Sequence, residues 1–210
     1  MKKTIEVYNK NIDKYVERYN YENYADIIVP ILQTFSFFDA SDPHKPRTVL
    51  EIGSGTGKMA LIIANAKRKV IGHDASLKMV EFANLTIQRD NVKFEHKQYP
   101  LQNVEKNTYD AAYSIATLMH MSKKDIADTV VNVYKMLKEN GVFIIMVPTK
   151  KEGLINNRDE DGRFFNIMNS DEWKLLCNRC GFFCIGETTS KDRLGRNVEW
   201  STFFLMKQSL

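Results

Sequence analysis

The sequence predicts a doubly wound α/β fold: a mostly parallel sheet covered by helices on both faces, with an antiparallel hairpin at one edge. Three observations carry this expectation. From residue 47 onward, strand-like and helix-like segments alternate at the spacing of strand–helix–strand units. The first strand-like run opens into a turn that holds Gly53, Gly55 and Gly57, in "TVLEIGSGTGKMA". Toward the far end, two strand-like runs are joined by the short charged segment "KDRLGRN", which reads as a pair of antiparallel strands on the sheet's edge.

Taken in order, the N-terminal stretch reads as helical, with Tyr8, Ile12, Tyr15 and Tyr19 recurring at three- and four-residue steps. Pro30 is expected to interrupt it before "ILQTFSFF" resumes, and "DASDPHKP", Asp39 to Pro46, reads as a linker. Residues 1–46 are therefore expected to form a helical lid or extension, and residues 47–210 a single compact domain. Within the latter, "TVLEIG" is a strand, "KMALIIANA" a helix and "KVIGHD" a second strand. "SLKMVEFANLTI" is a helix capped by Ser76. "NVKFEHK" and "YDAAYSIA" are the third and fourth strands. "SKKDIADTVVNVYKMLKEN" is amphipathic, with Ile126, Val130, Val133 and Leu137 on one face and Ser122 with Asp125 resembling a capping box. Gly141 is expected to end that helix. "VFIIMV" is a central strand, followed by a polar loop, the helix "SDEWKLLCNRC", and the strands "FFCIGETTS" and "VEWSTFFLMK".

Composition narrows the function classes. A hydrophobic content of 43% with 27% charged residues is that of an ordinary soluble domain. The net charge of +4, from 30 basic and 26 acidic residues, is mild and scattered, short of the basic face that nucleic-acid binding needs. No run approaches ~18 apolar residues, so no membrane partner is expected. "MKKTIEVYNKNIDKY" has no apolar core of a signal peptide, which makes a cytoplasmic location the expectation. Cys177, Cys180 and Cys184 cluster in "CNRCGFFC" without a second pair or a nearby histidine. They read as packing residues, and no metal is expected.

In a doubly wound sheet, ligands bind at the carboxyl ends of the strands, where the glycine turn lies. Glycine permits positive φ and lets a ligand approach the backbone. A triphosphate loop would need G-x-x-x-x-G-K-[ST]; here position 52 is Ile and Met59 replaces the hydroxyl that would hold magnesium. A dinucleotide turn would need G-x-G-x-x-G; the spacing here is G-x-G-x-G, with Glu51 just before it. A carboxylate in that crevice suits a cationic ligand and repels a pyrophosphate. A second acid, Asp74, closes "VIGHD" 21 residues beyond Gly53, near the distance at which an acid meets a ribose hydroxyl. A ligand with a nucleoside and a sulfonium, S-adenosylmethionine, satisfies both acids.

At these residues the sequence resembles the class I S-adenosylmethionine-dependent methyltransferases, in particular small bacterial members with a methyltransferase domain 11 or 25 type of core. "VLEIGSGTGKMA" and "VIGHDASLKMVEFA" are similar to their first two motifs, and "YDAAYSIATLMHM" and "VYKMLKENGVFIIMVP" to the fourth and fifth strand regions. The resemblance implies a Rossmann-like, seven-stranded sheet. It implies Gly53, Ser54 and Gly55 along the methionine portion, Gly57 also at the cofactor, Glu51 near the amino group, and Asp74 on the ribose. Ala75 and Met79 would flank the adenine, with Ile115 beside the cofactor at the end of the fourth strand. The segment "VYNKNIDKYVERY" resembles the family's lid helix and would place Tyr8 and Tyr15 over the cofactor. One position departs from the family: where an acid often receives the adenine amino group, this chain has Gln98, then Tyr99. A glutamine carbonyl accepts the same hydrogen bond without charge.

The implied reaction moves a methyl group from S-adenosylmethionine to an oxygen or nitrogen of a small molecule, leaving S-adenosylhomocysteine. Such a displacement rests on alignment and exclusion of water, so few reacting side chains are required. His120, in "ATLMHM", is the nearest general-base candidate, or else it shapes the pocket. The loops "RDEDGRFFNIM" and "SKDRLGRNVEW" each carry a Gly-Arg pair. Arg163 and Arg196 either hold an anionic group of the acceptor or are neutralised in solvated turns by Asp161 and Asp192. Phe164, Phe165 and Trp200 would wall an apolar or flat acceptor. Tyr19, Tyr21 and Tyr24 read as packing residues. Two alternatives share the fold: an RNA or protein methyltransferase, against which "SIATLM" argues, and a non-catalytic sensor or partner subunit that holds S-adenosylmethionine. A monomer and a homodimer are both compatible with the sequence.

Overall fold

The computed structural model describes residues 1–21, 25–42, 44–192 and 196–208. Seven strands form one sheet in the order β3-β2-β1-β4-β5-β7-β6. They are β1 (Arg47–Ile52), β2 (Arg68–Asp74), β3 (Val92–His96), β4 (Tyr109–Ile115), β5 (Leu137–Lys151), β6 (Phe182–Lys191) and β7 (Val198–Lys207). The strands from β1 to β5 pair in parallel, while β7 runs antiparallel between β5 and β6. The edge hairpin expected from the sequence is present, with its second strand turned inward.

Strand alternation sorts the core into two layers. Phe143, Ile145 and Val147 face the layer covered by α6 (Lys123–Met136) and α7 (Ser170–Arg179), where Ile126, Val130, Val133 and Trp173 are buried. Val142 and Ile144 face the opposite layer, beneath α3 (Ala25–Ser41), α4 (Lys58–Ile63) and α5 (Leu77–Thr86). Local signals start the helices. The Ser76 hydroxyl accepts from the Met79 N–H at 3.2 Å, and Ser122 does the same for Asp125 at 3.1 Å. Asn169 and Glu172 close a reciprocal capping box at α7.

Three boundary expectations need correction. Pro30 lies inside α3 and does not interrupt it. Ile31 and Phe35 bury themselves in the layer over β1, β2 and β4, and this packing outweighs the lost backbone bond. The helix also runs through Asp39 to Ser41, so the linker is shorter than "DASDPHKP". Helix α6 ends at Met136, not at Gly141, because Leu137 is already extended and pairs with Tyr109. The left-handed residue of that connection is Asn140, at φ 59°. Cys177 is buried in α7, where burial pushes its thiol well above the ordinary range, and Cys180 and Cys184 are half-buried and free. Tyr24 lies outside the described residues, as do the Tyr19 and Tyr21 side chains.

The first two helices, α1 (Lys2–Lys10) and α2 (Ile12–Tyr21), cross the carboxyl ends of the strands. Asn9 in α1 accepts from the Ser76 hydroxyl at 2.7 Å, and Thr4 accepts from the Phe164 N–H at 3.0 Å. Helix α1 thereby bridges the start of α5 and the loop that follows β5.

Candidate active site

A cavity of about 450 Å³ opens at the carboxyl ends of the strands, over the point between β1 and β4 where the strand order reverses. One half is made by the glycine turn and the end of β2: Gly53, Ser54, Gly55, Asp74, Ala75 and Met79 line it. Asp74 organises this half. Its Oδ2 accepts from the Gly55 N–H at 2.8 Å and its Oδ1 from the Ser76 N–H at 2.7 Å. Burial raises the Asp74 pKa, and these backbone donors pull it back. Ser54 is 6% exposed and its hydroxyl has no hydrogen-bond partner among the described residues.

The glycines meet a demand of the protein itself. Gly53 has φ +78°, and a Cβ there would collide with the Thr117 side chain. Gly57 has φ +80°, caps α4, and would collide with Phe94 and Ile87. Close approach is thus required at both positions, but by neighbouring side chains. Gly57 does not line the cavity.

Glu51 also departs from its expected place. It shares the β1 face of Val49, under α4, and its carboxyl lies against the Tyr113 hydroxyl and the Ala60 amide. Burial drives its pKa well above the ordinary carboxylate range, and among the described residues Oε2 lacks a partner of hydrogen-bonding geometry. Gln98 is exposed and does not line the cavity, whereas its neighbours Lys97 and Tyr99 do, the latter with a hydroxyl 2.8 Å from His73 Nδ1. His73 was not singled out by the sequence; it too lines the cavity, and burial lowers its pKa to about 4.

The middle of the cavity is bounded by Ile115, His120 and Tyr8. His120 is 6% exposed in a single 3-10 turn, Leu118–His120. Its Nδ1 lies 2.6 Å from the Phe164 carbonyl oxygen and its Nε2 lies 3.1 Å from the Tyr8 hydroxyl. A carbonyl only accepts, so Nδ1 carries the proton and Nε2 accepts from Tyr8. Burial lowers the His120 pKa to about 4, so the ring is neutral at pH 7. Arg163 Nη1 donates to the Tyr8 oxygen at 3.2 Å, which leaves the Tyr8 proton to His120. Tyr15 is fully buried behind Tyr8, with ring centroids 4.6 Å apart and its hydroxyl donating to Asp161 at 3.2 Å; it does not line the cavity.

The far half is built from Phe165, the end of β5 and the β6–β7 hairpin, where Lys151, Arg163, Arg196 and Trp200 line the wall. Arg163 is neutralised by Asp159, which accepts from Nε at 2.9 Å and from Nη2 at 2.6 Å. Asp161, the partner suggested by the sequence, pairs with Lys14 instead. Arg196 pairs with Asp192 as expected; the intervening residues 193–195 lie outside the described set.

A doubly wound sheet with a G-x-G-x-G turn after β1 and an acid closing β2, beneath a cavity at the strand switch, is the arrangement of the class I S-adenosylmethionine-dependent methyltransferases, and the chain is similar to them in fold and, over part of its length, in sequence. The family model for a methyltransferase domain matches residues 49–141. A ubiquinone biosynthesis O-methyltransferase of Pelagibacter ubique (strain HTCC1062) is 26% identical over 121 residues, covering 57% of this chain and 50% of that protein. Phosphoethanolamine N-methyltransferase 1 of Triticum aestivum is 32% identical over 115 residues, 53% of this chain and 23% of the relative. The chain thus spans half or less of the length of these two relatives. Among solved structures, a Burkholderia thailandensis 1,6-didemethyltoxoflavin-N1-methyltransferase with bound 1,6-didemethyltoxoflavin and S-adenosylhomocysteine superposes with a TM-score of 0.66. It is 16% identical and covers 83% of this chain and 76% of its own, a likeness of fold.

Proposed function

We propose that the chain binds S-adenosylmethionine against the glycine turn and transfers its methyl group to an oxygen or nitrogen of a small molecule held in the far half of the cavity. The residues fit the cofactor. Asp74 is a strand-end acid beside the turn, the Ser54 hydroxyl awaits a partner, and Ala75, Met79 and Ile115 offer apolar walls for a ring. When bound, S-adenosylmethionine supplies a methyl group on a sulfonium and becomes S-adenosylhomocysteine.

The chain's own residues align the acceptor and exclude water. Helix α1 lines the middle of the cavity through Thr4, Ile5 and Tyr8, and a helix in that place would help to exclude water from the reacting atoms. An acceptor that donates its hydrogen to the Tyr8 oxygen can pass a proton there while Tyr8 gives its own to His120 Nε2. The acceptor lone pair is then free for in-line attack. A His120 pKa of about 4 makes it a weak base, so this route suits acceptors whose proton becomes acidic only as the new bond forms.

The observation that carries the proposal is the continuity of one cavity from Asp74 past the Tyr8–His120 pair to Lys151 and Trp200. It leaves room for a second, compact molecule beside the cofactor half, which favours an enzyme over a sensor. The reading is tested by calorimetric titration with S-adenosylmethionine, S-adenosylhomocysteine and NAD, followed by a screen of acceptors. Binding of the two adenosyl ligands without NAD is expected, and failure of both to bind would overturn it. His120→Ala is expected to slow turnover more than it weakens cofactor binding; equal turnover would remove His120 from the mechanism.

A further inference from the structure

The far wall of the cavity is lined by four cations, Lys151, Arg163, Lys191 and Arg196, of which Lys191 is exposed. Arg163 and Arg196 each have an aspartate four residues earlier, Asp159 and Asp192, that accepts from both Nε and Nη2. Lys151 has no such partner: among the described residues, no carboxylate lies within 4.0 Å of its Nζ. The register of β5 sends it inward. Its neighbour Lys150 faces the other way and pairs with Glu199 at 3.6 Å, while Lys151, opposite Val198 in β7, lines the cavity with Nζ 5.2 Å from the Phe165 ring centre.

Lys151 is thus a half-buried cation of this wall with no paired carboxylate among the described residues. Desolvation pushes the Lys151 pKa down, and the nearby Arg163 and Arg196 push it further, against Asp159 and Asp192. A group in that position gains from a negative ligand twice, by direct attraction and by relief of its repulsion with the two guanidinium groups. The two arginines are poorly placed to serve: their forks are turned to their aspartates, and Arg163 also holds the Tyr8 oxygen. An ammonium on a flexible stem binds an oxyanion as a point charge without needing a fixed fork.

We propose that the methyl acceptor is a compact molecule with an oxyanion group, phosphate or carboxylate, and that Lys151 is the specificity-determining residue that binds this group between Phe165 and Trp200. The proposal rests on the reading of the far half as the acceptor site. It places the anion contact not on the two arginines, one of two readings the sequence leaves open for them, but on a lysine that the strand register selects.

The test uses inorganic phosphate and acetate as probes, titrated into the protein with and without S-adenosylhomocysteine. Saturable binding of at least one anion is expected. Lys151→Met should weaken it by at least about tenfold, Lys151→Arg should retain it within about threefold, and Lys150→Met should leave it unchanged. The affinity for S-adenosylhomocysteine should be the same in all of them, which reports that the variants are folded. No saturable binding of either anion to the unaltered protein, or equal binding to the Lys151→Met variant, would overturn the proposal. Failure of S-adenosylhomocysteine to bind would strike the methyltransferase reading alone, because the anion titration without it still decides the role of Lys151. The anion that binds more tightly identifies the acceptor as phosphate- or carboxylate-bearing.

Discussion

Acidification from pH 7 to pH 5 should cost this protein stability through His120, by an amount the structure sets. In the folded chain burial holds the His120 pKa at about 4, against an ordinary value of 6.5. The unfolded chain therefore takes up a proton across a range where the folded chain does not. The associated stability is full above the ordinary value and is lost as pH falls toward the folded one. Between pH 7 and pH 5 this difference amounts to roughly 2 kcal/mol for one such histidine. His73, also lowered to about 4, should contribute a similar loss. Glu51 and Asp74 act in the opposite sense, since a raised carboxyl pKa stabilises the folded form as protons bind. Glu95, Asp161, Glu172 and Glu187, whose pKa values are lowered, add losses of their own, so the unaltered protein's slope mixes many groups and a variant is needed to isolate one. His120→Asn removes the titration while its amide can still donate to the Phe164 carbonyl. Urea unfolding of both proteins at the two pH values should show the variant losing roughly 2 kcal/mol less than the parent. Equal losses, within about 0.5 kcal/mol, would refute the argument that His120 is a buried neutral base.

Two further substitutions probe the cofactor half. Asp74→Ala strips the acceptor from the Gly55 and Ser76 amides; it should lower the stability of the free protein by about 2 kcal/mol. It should also weaken S-adenosylmethionine binding at least about tenfold by calorimetry, and unchanged affinity would count against Asp74 as a ribose ligand. Gly53→Ala forces a Cβ into Thr117 at φ +78° and should cost roughly 2–4 kcal/mol in urea unfolding. Adding Thr117→Ala should recover part of that loss; no recovery would mean that the backbone angle alone demands glycine.

The parts of the fold legible in the sequence were those set by short-range chemistry. Ser76 and Ser122 cap helices because their hydroxyls reach amides three residues on, and the strand ends at Asp74 and Ile115 follow from runs of buried side chains. Features decided by packing were not legible. Pro30 signals a break, yet Ile31 and Phe35 find a buried face that keeps the helix intact. Glu51 is polar and near the turn, but the alternation of β1 assigns it to the same side as Val49. In "RDEDGR" either Asp159 or Asp161 could pair with Arg163, and only the turn through Gly162, at φ +83°, selects Asp159. Lys150 and Lys151 are indistinguishable until the β5–β7 register turns one inward.

The strand order β5-β7-β6 has a consequence for how the chain is made. Strand β6 leaves the ribosome before β7, yet its only place on the sheet is against β7. Until Val198–Lys207 emerges, the edge of β5 stays open, with Phe143, Ile145 and Val147 lacking the neighbours that Phe203 and Leu205 provide. An open apolar edge is a template for pairing with other chains. Nascent chains halted before Val198 should therefore depend on chaperones, and the wall bearing Lys151 and Trp200 is completed only once β7 has emerged.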